Sequence, residues 1–281
     1  MKKKVIILGN CVANRLQEMV ASWPLAEHEI VLAPMIHLLR EPSEWEALAA
    51  KALGCDIILT QPLFSFGPCN TQALRDALSP DQALVLFPSP SFDAYFPDSI
   101  LLRRPANPLF PALLDWDSSI IFSCYAKGIS IFRVEGIYLD HKIFHGSAVM
   151  EGIARSLQTY AKREAGLDIQ TILYILGNYA KTRLFHSPMH PVDALLDLLK
   201  TAFGRVLGLQ APEALPALPG FGFNQWPLIT RHHALFHFPG QEYFVIGGQQ
   251  TSIEDVAMAY YNFYEFHPEM MEWNRDKIID L

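Results

Sequence analysis

The first ninety residues alternate short apolar runs with amphipathic stretches. Runs rich in apolar residues at Val5–Leu8, Glu29–Leu32, Asp56–Thr60 and Ala83–Phe87 predict buried strands. Between them, apolar residues at helical spacing predict helices at residues 12–20, 43–52 and 71–77. Strands that alternate with helices form parallel sheets covered on their faces, so we expect a three-layer α/β fold.

The pattern changes after Pro88, where prolines and aromatic residues crowd the chain as far as Pro111. Such a stretch cannot form a long regular helix, so we expect ordered loop and short helix there. Residues 118–125 are compatible with either a strand or a buried helix. Helical spacing predicts helices at residues 146–164, 168–184, 192–207 and 252–266. We divide the chain into a sheet domain, residues 1–125, and a mostly helical portion, residues 126–281, packed on it as one structural unit.

Composition narrows the class of protein. The 281 residues are 51% hydrophobic and 18% charged, and the net charge of -7 argues against a nucleic-acid binder. No apolar run is long enough for a membrane span or a signal peptide. The four cysteines show no C-x-x-C spacing, so we expect reduced thiols and a cytoplasmic location. We expect no bound metal, and we interpret the cluster His232, His233 and His237 as solvated side chains.

Cys11 lies where the first strand passes through Gly9 and Asn10 into the first helix. In an open α/β sheet this is the carboxyl edge of a strand, where ligands bind. A thiol at a helix N-terminus faces backbone N–H groups and the positive end of the helix dipole, which favours the thiolate. The alternative is a small core residue, because cysteines without a disulfide are commonly buried.

His190 is the second candidate for chemistry. Pro191 suits the first position of a helix and Asp193 suits its first turn, so we expect His190 near the N-cap. A helix N-terminus disfavours an imidazolium, which would keep His190 neutral near pH 7, as a general base must be. The alternative is a capping histidine with a purely structural hydrogen bond.

Four short motifs carry a family resemblance: Gly9-Asn10-Cys11, Gln61-Pro62, the aromatic segment from Phe92 to Pro97, and His190-Pro191. Together they resemble the WcbI-type polysaccharide biosynthesis family, whose members look like relatives of the SGNH hydrolases. The resemblance implies a parallel sheet of the SGNH or flavodoxin type. It also implies coenzyme A binding and acetyl transfer to a sugar of a surface polysaccharide. This chain differs from the family pattern at Val12, where Gln is usual, and from SGNH enzymes at Ser187, where they carry Asp.

The resemblance implies roles for individual residues. Cys11 would be the nucleophile and His190 the base, with the Cys11 backbone N–H, Asn10 and Gln61 as oxyanion donors. In a variant without an acyl-cysteine, His190 deprotonates a sugar hydroxyl that attacks acetyl-coenzyme A directly. The residues expected around coenzyme A are Gly9, Arg15, Tyr95, Lys181 and Arg183, with Arg103-Arg104 as a further cationic pair.

The partners expected from this interpretation are a small-molecule acyl donor and a glycan acceptor, with no nucleic acid and no membrane span. Two other functions stay open at this point. One is an SGNH-like esterase that releases acyl groups to water. The other is a non-catalytic protein of glycan biosynthesis that binds coenzyme A or a nucleotide, with Cys11 only a wall of the pocket.

Overall fold

The computed structural model describes residues 1–106, 108, 112–209 and 221–281. Pro111, and residues 210–220 of the segment rich in proline and glycine, lie outside the described residues. The strands are β1 (Lys3–Leu8), β2 (His28–Val31), β3 (Ile57–Thr60), β4 (Ala83–Leu86), β5 (Ser99–Ile100), β6 (Asp117–Ser118), β7 (Phe185–Ser187), β8 (His190–Pro191), β9 (Phe244–Ile246) and β10 (Gln249–Thr251). The helices are α1 (Cys11–Ala21), α2 (Pro42–Leu53), α3 (Thr71–Asp76), α4 (Ser119–Ala126), α5 (Val134–Asp140), α6 (Gly146–Glu164), α7 (Ile172–Asn178), α8 (Asp193–Val206), α9 (Ile253–Phe266) and α10 (Glu269–Trp273).

The described residues group into two compact units. The sheet unit comprises Met1–Pro90, Thr159–Leu176 and Asp193–Leu218. The hairpin unit comprises Ser91–Gln158, Gly177–Val192 and Pro219–Leu281. Segments of the two units alternate along the chain, whereas the sequence predicted a single boundary after residue 125. A single boundary misses this arrangement because two later segments return to the unit that holds the N-terminal sheet.

The sheet unit is built on a parallel sheet of strand order β2-β1-β3-β4. Ile6 of β1 pairs with Val31 on one side and with Ile58 on the other, and Ile58 in turn pairs with Leu84. The strands begin and end within one or two residues of the predicted positions. The predicted α/β fold with a parallel sheet is therefore confirmed.

Both faces of the sheet are buried. Val5, Ile6, Ile7 and Leu8 are each at most 2% exposed, although successive side chains point to opposite faces. Ile6 and Leu8 belong to a cluster that includes Leu48 and Ala52 of α2 and Leu74 of α3. Helix α1 packs against β1 and α8, and Phe203 of α8 meets Phe87 edge to face, with ring centroids 4.9 Å apart. Helices therefore bury the apolar residues of the strands, as the sequence pattern predicts for a layered sheet.

The strand order creates a switch point at the carboxyl end of the sheet. From β1 the chain passes to β2 on one side, and it then crosses to β3 on the other side. In open α/β sheets, ligands bind outside the carboxyl ends of the strands at such a switch point. The turn with Cys11 follows β1, and Gln61 follows β3 directly.

In the hairpin unit, helices α4, α5 and α9 pack against one another, and short strands form the pairs β5-β6, β7-β8 and β9-β10. Residues 118–125, which the sequence left open as either a strand or a buried helix, form most of the buried helix α4. The Ser118 hydroxyl caps its first turn. The described part of the stretch rich in proline forms only short elements, as predicted. Buried aromatic rings fill this unit, among them Phe92, Tyr95, Phe96 and Trp226.

The prediction of one helix over residues 168–184 is wrong, because the structure has only α7 there. Asp168 and Ile169 instead bond to the β4 residue Leu86: the Leu86 N–H donates to the Asp168 carboxylate at 2.7 Å, and the Ile169 N–H donates to the Leu86 carbonyl at 3.0 Å. These bonds hold the chain beside the sheet until Thr171, where the buried Glu164 carboxylate accepts from the Thr171 and Ile172 N–H groups. The helix therefore begins late.

We expect Glu164→Ala to lower the free energy of unfolding by about 1–3 kcal/mol, because it leaves buried N–H groups at the start of α7 without their acceptor. Urea unfolding followed by circular dichroism measures this difference. Glu151→Ala, at an exposed position on the same helix, is the matched control and should change stability by less than about 0.5 kcal/mol. Equal midpoints for the two variants would contradict the capping role.

Candidate functional site

The turn between β1 and α1 depends on a glycine. Gly9 has a φ of +153°, a conformation that side chains with a Cβ rarely adopt. A Cβ at this position would lie 2.7 Å from Cδ of Gln61 and 2.8 Å from Cβ of Ala13, and would collide with the side-chain oxygen Oε1 of Gln61. Gly9 therefore lets the Gln61 side chain approach the turn, which is its observed role in this structure.

Gln61 ties the ends of two strands together. Its Oε1 accepts a hydrogen bond from the Asn10 N–H at 2.9 Å, and its own N–H donates to the Leu8 carbonyl at 3.0 Å. The Nε2 group of Gln61 donates to the Pro88 carbonyl at 3.4 Å. The side chain is 4% exposed, so these bonds form away from bulk water. The turn that presents Cys11 is thus fixed from the neighbouring strand.

Asn10 is the N-cap of α1. Its Oδ1 accepts from the Val12 N–H at 3.0 Å, and its Nδ2 donates to the Ser89 hydroxyl at 2.9 Å. An Asn in this position satisfies one of the unbonded N–H groups at a helix start. Cys11 is consequently the first helical residue, at the positive end of the α1 dipole, as the sequence predicts.

Cys11 differs from the other cysteines in its exposure. Cys55, Cys69 and Cys124 are at most 2% exposed, whereas Cys11 is partly exposed, and the structure shows no disulfide at any of these four positions. Burial raises the pKa of the Cys69 and Cys124 thiols to about 11, which makes them poor nucleophiles. Cys11 is therefore the cysteine whose position suits chemistry.

A cavity of about 580 Å³ opens within the sheet unit beside this turn. Ser89, the hydrogen-bond partner of Asn10, lines it together with Pro62, which follows Gln61. Three cationic side chains line it as well: Arg75 near the end of α3, and Lys162 and Arg163 in the last turn of α6. The sequence analysis missed these three cations. A Lys-Arg pair at the end of a predicted helix is a weak signal for a ligand site, since cations commonly stabilise helix C-termini.

Arg15, the predicted phosphate ligand on α1, has a side chain that is 12% exposed. Its Nη1 lies 3.3 Å from the Glu18 carboxylate, and its buried Nε has no hydrogen-bond partner among the described residues. A buried donor of this kind costs free energy unless a ligand or water accepts from it. Arg15 therefore stays a candidate for an anionic ligand.

His190 occupies a β-hairpin rather than a helix cap, so the predicted helix position is wrong. Helix α8 begins at Asp193, and His190 lies in β8, paired with Ser187 of β7. The Ser187 hydroxyl lies 2.8 Å from Nδ1 of His190, and the Phe221 ring stacks on the imidazole with centroids 4.8 Å apart. Burial lowers the pKa of His190 below 6.5, its ordinary value. Partial burial, rather than a helix N-terminus, therefore disfavours the imidazolium form of His190.

The hairpin unit also contains three of the residues predicted to bind coenzyme A. The Tyr95 ring is 1% exposed, and its hydroxyl donates to the Tyr179 carbonyl at 2.5 Å. Arg183 donates to neighbouring carbonyl oxygens, and Lys181 is exposed. Tyr95 and Arg183 are therefore reassigned from ligand binding to packing and hydrogen bonding within their unit. The role of Lys181 stays a prediction.

The cationic pair Arg103-Arg104 also has partners within the hairpin unit. Arg104 forms an ion pair with the buried Asp117 at 2.8 Å, and Arg103 lies over the Trp273 ring at 4.8 Å. The ion pair engages the Arg104 guanidinium, whereas Arg103 is exposed, and the phosphate contact of this pair stays a prediction.

No group of three or more His, Cys, Asp or Glu side chains in the described part of the chain has a geometry that could hold a metal ion. None of the helices described combines the length and the apolar character needed to cross a membrane.

Cys11 belongs to the sheet unit and His190 to the hairpin unit. Their predicted meeting in one active site stays a prediction.

We expect Ser187→Asp to raise the pKa of His190, because an adjacent carboxylate favours the imidazolium. As the pH falls, His190 of this variant would therefore become protonated at a higher pH than His190 of the unmodified protein. Titration of the ring nitrogens by NMR measures the shift, and Ser187→Ala is the control that removes the hydroxyl without adding charge. If all three proteins titrate together, Ser187 does not govern this imidazole.

Both the sequence and the fold of this chain are similar to those of known proteins. The family model "Polysaccharide biosynthesis enzyme WcbI" matches residues 4–212, a range that includes both Cys11 and His190. A solved structure has a TM-score of 0.73 to this chain at 18% identity, covering 99% of this chain and 98% of that one. It is described as WcbI, a novel polysaccharide biosynthesis enzyme, in a native form without a disulfide bond between coenzyme A and a cysteine.

No curated protein matches the chain. The family match nevertheless spans well over half of the 281 residues, and the structural likeness shows the same fold over the full length. The resemblance inferred from four short motifs is therefore confirmed. The chain belongs to the WcbI family of polysaccharide biosynthesis enzymes.

Proposed function

We propose that this protein is an acyltransferase that moves an acetyl group from acetyl-coenzyme A to a sugar hydroxyl of a polysaccharide precursor. The observation that carries the proposal is the Cys11 turn, where a partly exposed thiol begins α1 at the switch point of the sheet. A family relative is described together with coenzyme A, which supports the choice of donor. The family's link to polysaccharide synthesis supports a sugar as the acceptor.

The cavity of the sheet unit is the proposed site for the donor. Coenzyme A carries phosphate groups, and Arg75, Lys162 and Arg163 supply positive charge along the cavity wall. Ser89 lines this cavity and accepts a hydrogen bond from the Asn10 cap, which supports a pose in which the nucleotide of acetyl-coenzyme A lies in the cavity and its thioester arm extends toward Cys11. Arg15, with its unbonded Nε, is a further proposed phosphate contact.

The proposed reaction has two steps. His190 accepts the Cys11 proton while the sulfur attacks the thioester carbonyl. The bond from the acetyl carbon to the coenzyme A sulfur then breaks, and His190 returns the proton to the leaving thiolate. In the second step His190 deprotonates a sugar hydroxyl, which attacks the acetyl-cysteine and regenerates the thiol. Each step passes through an oxyanion that needs hydrogen-bond donors.

Asn10 and Gln61 are the proposed side-chain donors to this oxyanion, beside the Cys11 backbone N–H. Each amide nitrogen carries two hydrogens and uses one in its bond to Ser89 or Pro88. Their carbonyl oxygens are engaged by N–H groups of the turn, which fixes the orientation of both amides. Such preorganised donors stabilise a developing charge without further rearrangement.

Ser187 is the proposed orienting residue for the base. When its hydroxyl accepts from Nδ1–H, the other ring nitrogen of His190 carries the lone pair that takes the proton. SGNH enzymes are expected to carry Asp at this position, and a neutral hydroxyl orients the ring without favouring its protonation. A Cys-His-Ser arrangement is therefore proposed in place of an Asp-containing triad.

We expect coenzyme A to bind the cavity and raise the melting temperature. Ligand at 100 times its dissociation constant adds about 2.7 kcal/mol of stability. Lys162→Glu with Arg163→Glu should weaken binding about tenfold or more, since each contact between a cation and a phosphate contributes about 1.5–3 kcal/mol. Calorimetric titration measures the affinity.

The matched control is Arg275→Glu with Lys277→Glu, a pair of exposed cations that changes the net charge equally. Pantetheine, which lacks the nucleotide phosphates, should bind both double variants like the unmodified protein. Unchanged coenzyme A affinity in the cavity variant would place the donor elsewhere.

We expect Cys11→Ala and His190→Ala each to lower acetyl transfer by about 10²–10⁴-fold, while coenzyme A binding persists. Release of coenzyme A thiol in the presence of hexose acceptors measures the rate, and intact mass detects an acetyl group on Cys11. Full activity of Cys11→Ala with loss in His190→Ala would eliminate the acyl-cysteine step in favour of direct attack. Rapid hydrolysis of an aryl acetate without an acceptor would instead indicate an esterase.

A further inference from the structure

Arg183 lies two residues before the strand that carries Ser187, and all its hydrogen bonds go to neutral oxygen atoms. Its Nε donates to the Phe185 carbonyl at 2.8 Å. One Nη donates to the carbonyls of His186 at 3.1 Å and Trp226 at 2.7 Å. The other Nη donates to the Gln241 side-chain oxygen at 2.9 Å. A guanidinium has five N–H groups in a rigid fork, and four of them are used here.

No carboxylate is found within salt-bridge distance of this guanidinium among the described residues. Burial lowers the pKa of Arg183 to about 10, which records how poorly the site solvates a cation. The ring of Phe96 lies 5.7 Å from the guanidinium carbon and provides a weak cation–π contact. A partly buried cation without a counter-ion loses hydration at a cost in free energy, so its hydrogen bonds must provide something that an apolar residue does not.

The acceptors of Arg183 belong to the backbone that supports the proposed base. The Phe185 and His186 carbonyls are part of β7, whose residue Ser187 pairs with His190. The His186 carbonyl also accepts from the Trp226 N–H at 2.8 Å, so the same oxygen anchors β7 to a second chain segment. Gln241 joins this network because its Nε2 donates to the Tyr243 carbonyl at 2.8 Å. One side chain therefore connects three segments directly behind the hairpin.

We propose that Arg183 is a positioning residue, which fixes strand β7 and, through Ser187, the orientation of the His190 imidazole. This inference rests on the proposed function, in which His190 is the base. Arg183 does not touch the reacting atoms. It keeps the Ser187 hydroxyl and Nδ1 of His190 in register, so that the proton-accepting nitrogen points in a constant direction. Positional errors near 1 Å can slow a reaction by about 100-fold, which sets the size of the expected effect.

The test compares Arg183→Lys with the unmodified protein. Lysine keeps the positive charge and most of the volume but cannot span four acceptors. We expect kcat for acetyl transfer to fall by about 10- to 100-fold while KM for acetyl-coenzyme A stays unchanged. We also expect the pKa of His190, measured by NMR of its ring nitrogens, to move from its lowered value toward 6.5, because a loosened hairpin exposes the ring.

Asn274→Ala is the matched structural control. Asn274 is 2% exposed in the same unit, and it also bridges backbone groups, with hydrogen bonds to both the N–H and the carbonyl of Arg103. Its loss should lower the melting temperature without altering kcat or the His190 titration of the folded protein. If Arg183→Lys behaves like this control, Arg183 only stabilises the fold and the proposal is overturned.

Two further outcomes separate the possible failures. A raised KM for acetyl-coenzyme A with unchanged kcat would overturn the proposal and restore Arg183 to donor binding. Absence of acetyl transfer in the unmodified protein would refute the proposed function, and the His190 titration would still decide whether Arg183 positions the ring. If Arg183→Lys fails to fold, Gln241→Ala removes one acceptor of the network and should shift the titration in the same direction by less.

Discussion

The hydrogen bond from the Asn10 N–H to the Gln61 side chain holds together the carboxyl ends of two neighbouring strands. It forms only because Gly9 has no Cβ to keep the Gln61 amide away from the turn. The position of Cys11, the cap of α1 and the contact with Ser89 all follow from this close approach. The site thus depends on a backbone arrangement, in which the thiol is presented by a turn that has little freedom to move.

The environments of the two candidate residues, Cys11 and His190, differ in their electrostatic character. Cys11 is held at a helix start, where partial positive charge favours an anion. His190 is held in a buried hairpin, where desolvation disfavours a cation and its partner is an uncharged hydroxyl. Both environments suit the roles proposed for these residues, a nucleophilic sulfur and an unprotonated base, and the partner of the imidazole is a hydroxyl instead of a carboxylate. Cations are instead grouped along the cavity wall, where the proposed anionic donor would need them.

The sequence predicted local features well and distant contacts poorly. The strands of the parallel sheet and the helix start at Cys11 were predictable because each is set by neighbouring residues. The length of α7 was not, because the bonds of Asp168 and Ile169 to Leu86 override helical spacing. Likewise, arginine is a common phosphate ligand, so the sequence alone suggested that role for Arg183. Only its hydrogen bonds to the distant residues Trp226 and Gln241 support the proposed positioning role. Cavity cations such as Arg75 and Lys162 are brought together by the fold and leave no motif.

The alternation of the two units along the chain bears on how the protein is made. Strands β1 to β4 emerge from the ribosome before α8, which packs on α1. Helix α8 begins more than a hundred residues after the end of β4. Until α8 has been synthesised, the part of α1 that it covers lacks this packing contact. Contacts so distant in sequence form slowly, and exposed apolar surface promotes aggregation of incomplete chains. Nascent chains that end before residue 193 should therefore depend on chaperones, because the sheet unit can be completed only after α8 has been synthesised.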